Sequence, residues 1–536
     1  MAAKPLMIQG TGSFVGKSII VAGLCRLLKQ DGFKVAPFKA QNMALNSFIT
    51  LEGGEMGRAQ VVQAEAAGLA PHVDMNPILL KPNTDIGAQV IIQGKVFGNM
   101  NAVEYHRFKK EALQKVMESY ARLAKQYQVI VIEGAGSPAE INLREGDIAN
   151  MGIAEAVDAP VLLVGDIDKG GVFASLVGTL ELLPLEERRR IKGFIINKFR
   201  GDLSLLAPGL DFLEKKTGVS VLGVVPYLQD LYLPEEDGVA LEKNYFPHEK
   251  SVKIAVLYLP HISNFTDFDP LEHEPHVNVR YVQPGQRIGD ADAVILPGSK
   301  NTIEDFLFVR KEGYADEILK LHESGKMVIG ICGGFQMLGK TIRDPWGMET
   351  SGGEIAGLGL LDVETVLQKK KMTFQVKAVP LNGPMAPPKE TLLGYEIHMG
   401  DTQRGPAHPP AFRIIERLEQ KVEVEDGAIS ADGQVWGTYI HGLFDNDGFR
   451  RRFIEGLGKN QALSSVRAED LNYQVLKEGQ YDKLAAALRQ ALDIQRIYMI
   501  TGISSPLPSR RCEKIGAREN EESRPCPGAR KIRLPK

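Results

Sequence analysis

A run of apolar residues, Met327-Val328-Ile329, stops at Gly330, and the chain passes through Ile331-Cys332-Gly333-Gly334 into the helix-compatible Phe335-Gln336-Met337-Leu338. No other stretch restricts the fold as tightly. Gly-x-Cys-x-Gly between strand and helix is the thiol form of the nucleophile elbow, a strained turn that lifts one side chain out at the end of a sheet. Glycines on both sides remove the Cβ atoms that would clash there. The helix begins directly after the sulfur, and its N-terminal dipole favours a thiolate. A cysteine without such neighbours is more often a small buried apolar group. The flanking glycines shift Cys332 towards a nucleophile.

A thiolate needs a base and a place for developing negative charge. Val435-Trp436-Gly437-Thr438-Tyr439-Ile440 reads as a strand that delivers His441 to Gly442, and His441 is the candidate base. A second strand, Ala293 to Leu296, ends in Pro297-Gly298-Ser299. The backbone amides of Gly298 and Gly333 are the candidate oxyanion donors.

The other end of the chain carries phosphate chemistry. Pro5 to Gln9 reads as a strand, followed by Gly10-Thr11-Gly12-Ser13-Phe14-Val15-Gly16-Lys17-Ser18 and a helix over Ile19 to Lys29. Such a loop points backbone amides at an anion. Gly10, Thr11, Gly12, Ser13 and Gly16 form the cradle, Lys17 reaches β/γ-phosphates, and Ser18 is a Mg²⁺ ligand. Thr11 stands where the usual phosphate loop has its first glycine. The spacing resembles the variant loop of dethiobiotin-synthetase-like enzymes, and that resemblance implies that Asn197 contacts adenine. The buried strand Val129 to Ile132 ends in Glu133, a second candidate Mg²⁺ ligand. Asp147, on the loop that follows, is placed by position alone in metal binding, substrate positioning or helix capping, and it enters the expected catalytic set. Lys39, Gln41, Asn42 and Asn46 carry donors suited to a polycarboxylate, or else pack a loop around the nucleotide.

The layout places these motifs in separate units. Strands alternate with helical stretches up to about residue 225, which predicts a doubly wound parallel α/β sheet over 1–227. An acidic, proline-containing stretch at 228–250 reads as a linker. A second α/β pattern covers 251–450, with β-rich stretches at Leu361 to Val376 and Pro410 to Ile440. A helical segment follows at 451–500. The end, 501–536, is rich in Pro, Arg and Gly and reads as disordered. With 536 residues and a formal charge of −3, the chain shows no basic field for nucleic acid. No apolar run approaches the roughly 18 residues of a membrane span. Cys25, Cys332, Cys512 and Cys526 have neither metal nor disulfide spacing. A cytoplasmic enzyme is expected.

Residues 252 to 450 resemble a class I, triad-type glutamine amidotransferase domain. The resemblance implies that Cys332 attacks the side-chain amide of glutamine and releases ammonia. The acidic residue that this family places two positions after the histidine is Leu443 here, so the carboxylate orienting His441 must come from elsewhere, and Glu396 is a candidate. That substitution is a mark of the cobyric acid synthase branch of the cobyrinate amidases. The likeness to that branch spans about residues 5 to 495, through the phosphate loop, Pro37 to Ser47, Glu133 to Ser137, Pro297 to Thr302 and Gly394 to Gly400. It implies ATP- and glutamine-dependent amidation of the b, d, e and g carboxylates of adenosylcobyrinate a,c-diamide, with ATP and Mg²⁺ at the first site. Two rivals remain at this level. One is the sister enzyme that amidates the a and c carboxylates. The other is an ATPase switch with an inert second half.

Overall fold

The computed structural model describes residues 3–82, 87–234, 252–349, 352–382, 390–457 and 471–504. In the first half, β1 (Lys4–Gly10), α1 (Lys17–Gln30), β2 (Val35–Phe38), β3 (Val129–Glu133), β4 (Val161–Asp166), β5 (Ile191–Phe199) and β6 (Val221–Pro226) build one sheet in the order β6-β5-β4-β1-β3-β2. Every pairing in it is parallel. All residues of β3 and β4 are buried, as a sheet covered by helices on both faces requires. After β3 the chain crosses to the far side of β1. The loops leaving β1 and β3 therefore open side by side at the switch point, where ligands bind in such sheets.

A layer absent from the simple strand–helix reading is inserted between β2 and β3. Gln41–Met43, Ile78–Pro82, Gly87–Ile92 and Lys95–Asn101 form a four-stranded, mostly antiparallel sheet, beside a hairpin of Ser47–Ile49 and Glu55–Gly57. This insertion faces the second half of the chain.

That half contains β7 (Val252–Leu257), β8 (Val277–Val282), β9 (Ala293–Leu296), β10 (Met327–Ile331), α2 (Gly333–Leu338) and β11 (Val435–Thr438). The strands lie in the order β8-β7-β9-β10-β11 and pair in parallel. A second, seven-stranded sheet built around the long hairpin of Val363–Pro380 and Leu392–Arg404 packs alongside. The histidine does not ride on β11 itself. The chain leaves that strand after Thr438, and Ile440–His441 joins the second sheet opposite Tyr395 and Glu396.

The C-terminal helix α3 (Tyr473–Ala491), within the expected helical segment 451–500, returns to the first half. Tyr481, Leu484, Ala485 and Leu488 share one core cluster with Val21, Leu24 and Leu28 of α1. A Cβ on Gly23 would lie 2.4 Å from Leu488 Cδ1, so glycine sets how closely α1 and α3 approach. Arg26 bridges Glu478 at 2.8 Å and Asp482 at 2.7 Å. Cys25 is fully buried in that core, as its position on the apolar face of α1 implies. Most of the expected linker, all but the first residues of the expected disordered end, and both Cys512 and Cys526 lie outside the described residues. No helix among the described residues is long and apolar enough to cross a membrane.

Candidate active sites

The elbow is formed as its glycines require. Cys332 adopts φ 53°, ψ −108°, a conformation that costs a non-glycine residue on the order of 1–3 kcal/mol and is kept only where surrounding structure enforces it. The enforcement is visible. The Cys332 amide donates to Thr438 O at 2.8 Å, and the Gly334 amide donates to Pro297 O at 3.0 Å. A Cβ on Gly334 would lie 1.9 Å from Leu296 O, so no larger residue fits. Cys332 is 7% exposed, and its thiol donates to Ile397 O at 3.5 Å.

His441 is buried and lies within hydrogen-bonding reach of the Cys332 thiol. Its Nδ1 meets Asp267 Oδ2 at 2.6 Å, and Asp267 Oδ1 accepts the Gly442 amide at 3.0 Å. Burial works against a charged imidazole. The charge and hydrogen bond of Asp267, with the sulfur of Cys332, outweigh it and raise the His441 pKa to about 10. The result is a thiol–imidazole–carboxylate triad. Its carboxylate is Asp267 and not Glu396, which receives a bidentate pair from Arg417 at 2.7 and 2.8 Å. Gly298 lies against the imidazole, a Cβ there being 3.3 Å from His441 Cε1, and Gly333 lies against the Ser299 amide. Both expected oxyanion residues therefore border the thiol and the base. Gln336, one turn along α2, gives Nε2 to Tyr439 while its buried Oε1 has no partner among the described residues. It lines the cavity in front of Cys332.

The second site forms at the switch point. Gly16, at φ 98°, opens α1. Lys17 Nζ lies across the loop and donates to Gly12 O at 2.7 Å and to Gly136 O at 2.9 Å, tying the loops after β1 and β3 together. Burial lowers its pKa to about 8, against the opposing charge of Glu133 and with help from Lys39. Ser18 Oγ donates to Glu133 Oε1 at 2.8 Å, and Lys39 Nζ donates to the same oxygen at 2.8 Å. Gln63 holds the other oxygen. Burial pushes the Glu133 carboxyl up, but Lys39 and its neighbours bring it below the ordinary carboxylate range, so it is ionised. A hydroxyl and an ionised carboxylate side by side are hard oxygen donors of the kind Mg²⁺ takes beside phosphate.

Other expected residues are engaged differently. Asn197 donates to Val15 O at 2.8 Å and so braces the phosphate loop. Asp147 accepts the amides of Ala149, Asn150 and Gly152 at 2.8 to 3.0 Å, so its carboxylate holds the turn that leads into the short helix Met151–Ala156 and satisfies one amide of its first turn. Asn150 in turn clasps both the amide and the carbonyl of Ala135 on the loop after β3. Gln41 accepts Tyr105 OH, Asn42 donates to Gln60, and Asn46 accepts the Phe265 amide. The latter two are buried packing groups in this structure. Lys39 is the member of that group that reaches the phosphate site.

A polar seam runs from the triad to the inserted hairpin of the first half. Asn264 Nδ2 donates to Tyr395 OH at 2.8 Å and to Ser47 O of the inserted hairpin at 3.2 Å. The Tyr395 ring stacks on His441 at 5.2 Å between centroids. Neither Asp267 nor this seam was found from sequence. The only sequence sign was a polar, turn-rich string, Ser263-Asn264-Phe265-Thr266-Asp267, after β7.

Residues 6–241 match the CobQ/CobB/MinD/ParA nucleotide binding domain, and residues 253–449 match the CobB/CobQ-like glutamine amidotransferase domain. A nucleotide-binding half and an amidotransferase half on one chain define a glutamine-dependent, amide-forming ligase. Cobyric acid synthases from Syntrophobacter fumaroxidans, Thermoanaerobacter sp. and Streptococcus sanguinis are 52%, 54% and 54% identical to it, covering 94%, 93% and 93% of this chain and 99%, 99% and 98% of theirs. The chain belongs to the cobyric acid synthase family.

Proposed function

We propose that this enzyme uses ATP and glutamine to amidate the b, d, e and g carboxylates of adenosylcobyrinate a,c-diamide, giving adenosylcobyric acid in cobalamin biosynthesis. The observation that carries the glutamine half is the triad of Cys332, His441 and Asp267, which also argues against an inert second half. The corrinoid comes from the name its relatives bear.

The geometry suits the following chemistry. The Cys332 sulfur attacks the amide carbon of glutamine, and the oxyanion forms towards the amides at Gly298 and Gly333. His441 carries the thiol proton to the departing ammonia, and Asp267 holds the imidazole in the required tautomer. Water then cleaves the thioester to glutamate with His441 as base. At the other site a substrate carboxylate attacks the γ-phosphorus of ATP, forming an acyl phosphate and ADP. Ammonia displaces phosphate from it, leaving the amide. Lys17 and the loop amides bind the phosphates. Ser18 and Glu133 would hold Mg²⁺, which neutralises phosphate charge when bound. Ammonia must travel unprotonated, so its route between the sites must exclude bulk water.

The test is incubation with the a,c-diamide, glutamine and ATP, resolved by mass over time. Four successive amide additions are expected. Consumption of cobyrinate itself with two additions would instead mark the sister enzyme that amidates a and c.

A further inference from the structure

The cavity in front of Cys332 is walled by both halves of the chain. Ser299, Lys300, Gln336 and Glu349 come from the second half, and Lys81, Gln89 and Asn99 come from the sheet inserted in the first. Lys81 and Glu55 are each 1% exposed, and their Nζ and Oε1 are 2.6 Å apart. Lys371, from the long hairpin of the second half, takes the other oxygen of Glu55 at 2.6 Å and also reaches Gln89 at 3.2 Å. Glu55 is thus fully used, one oxygen by each half. Lys300, half-buried on the loop after Gly298, has no ion-pair or hydrogen-bond partner for its ammonium among the described residues.

The charge balance is uneven. Lys81, Lys300 and Lys371 face one committed carboxylate, Glu55, and burial beside the other two lysines pushes the pKa of the Lys300 ammonium well below its ordinary value. Glu349 is the carboxylate lining the cavity among the described residues. Burial, opposed by the Ile303 and Thr302 amides, raises its pKa to about 7, so it only half compensates at neutral pH. Positive charge withdrawn from water without a counter-ion is costly. The surplus suits a ligand that brings an anion while presenting an amide carbon to the sulfur, and L-glutamine does both.

We infer that the glutamine pocket is composite: Lys300 binds the α-carboxylate of glutamine, and Lys81 of the nucleotide-binding half completes the same wall, held in place by Glu55 and Lys371. Glu349 is then the acceptor for the α-ammonium. Glutamine hydrolysis depends on the docked inserted sheet, and this ties ammonia release to the half that consumes ammonia. The inference rests on Cys332 being the glutaminase nucleophile.

The test compares glutamine with 4-aminobutanamide, which keeps the amide and amine but lacks the α-carboxylate, in the full-length enzyme. Lys300→Met should raise KM for glutamine by about 10- to 100-fold, the scale of one hydrogen bond to a charged group, with little change in kcat. Preference for glutamine over the analogue should collapse by the same factor, and Lys300→Arg should restore part of it. Lys81→Met combined with Glu55→Gln, which removes one charge of each sign, should shift KM in the same direction. Ammonia-dependent amidation serves as the folding control. Unchanged KM and unchanged discrimination in Lys300→Met would overturn the α-carboxylate assignment. A normal KM in the double variant would overturn the composite pocket, and if that variant does not fold, Lys81→Arg tests the same contact. Glutamine use that survives Cys332→Ala in the otherwise unchanged enzyme would instead remove the underlying reading.

Discussion

Asp267 and His441 are 174 residues apart in the chain, yet their Oδ2 and Nδ1 atoms meet at 2.6 Å. One carboxylate thus fixes the tautomer of the base and, through its second oxygen, the glycine turn behind it. Asp267→Asn should lower glutamine-dependent turnover by about 10²–10⁴-fold, because the imidazole loses its orientation and the partner for its positive form. Rates with ammonium salt should hold. Glu396→Gln should leave glutaminase activity near normal but reduce stability by about 1–3 kcal/mol by weakening the pair with Arg417, as read by denaturant melts.

The raised pKa of His441 links the triad to stability. A folded pKa of about 10 against an ordinary value of 6.5 means that the native state holds this proton more tightly. The stabilisation is fully present below about pH 6.5 and is lost as pH rises through about 10. Denaturant unfolding between pH 6 and 10.5 should show this decline, and Asp267→Asn should flatten it.

The two sites should separate cleanly in assays. Cys332→Ala and His441→Ala should lose glutamine-dependent synthesis and keep synthesis from ammonium salt. Lys17→Ala should lose both, since each needs the activated carboxylate. Ammonia-driven turnover in Lys17→Ala would move the nucleotide site away from the N-terminal loop.

Lys17 carries a further signature. Its pKa of about 8 reflects burial, with Lys39 adding to the shift and Glu133 opposing it. A bound triphosphate should raise it, so ATP binding between about pH 8 and 10 should take up a proton. Calorimetry in buffers of different ionisation enthalpy measures that uptake, and Lys17→Met should abolish it.

Asp147→Asn should cost about 0.5–2 kcal/mol, the value of a helix cap, with turnover following stability. Partly amidated corrinoid accumulating at unchanged stability would give Asp147 a catalytic role.

The phosphate loop and the cysteine elbow were legible because their chemistry is local. Glycines must sit beside Lys17 and Cys332 for either turn to close, and the sequence prints them there. Asp267 was not legible, because its partner is reached by folding and not by spacing. The place two residues past His441, where triad-type amidotransferases in general carry the acid, holds Leu443, which is buried among apolar groups. The set of Glu55, Lys81 and Lys371 is hidden for the same reason: three charged residues on three strands, each ordinary alone, become a buried cluster only when the halves dock. Helix α3 falls within the helical segment expected at 451–500, but its destination could not be read there, since an apolar stripe does not name the surface it will cover.

That destination has a consequence for synthesis on the ribosome. Helix α1 is among the first elements to emerge, and its outer face stays bare until α3, more than four hundred residues later, has been translated. The nucleotide-binding core cannot finish folding in order of appearance, and the amidotransferase half must collapse while the earlier part waits with apolar surface open to aggregation or chaperone capture. A transcript cut short before α3 would therefore yield an intact glutaminase fold attached to an unfinished partner.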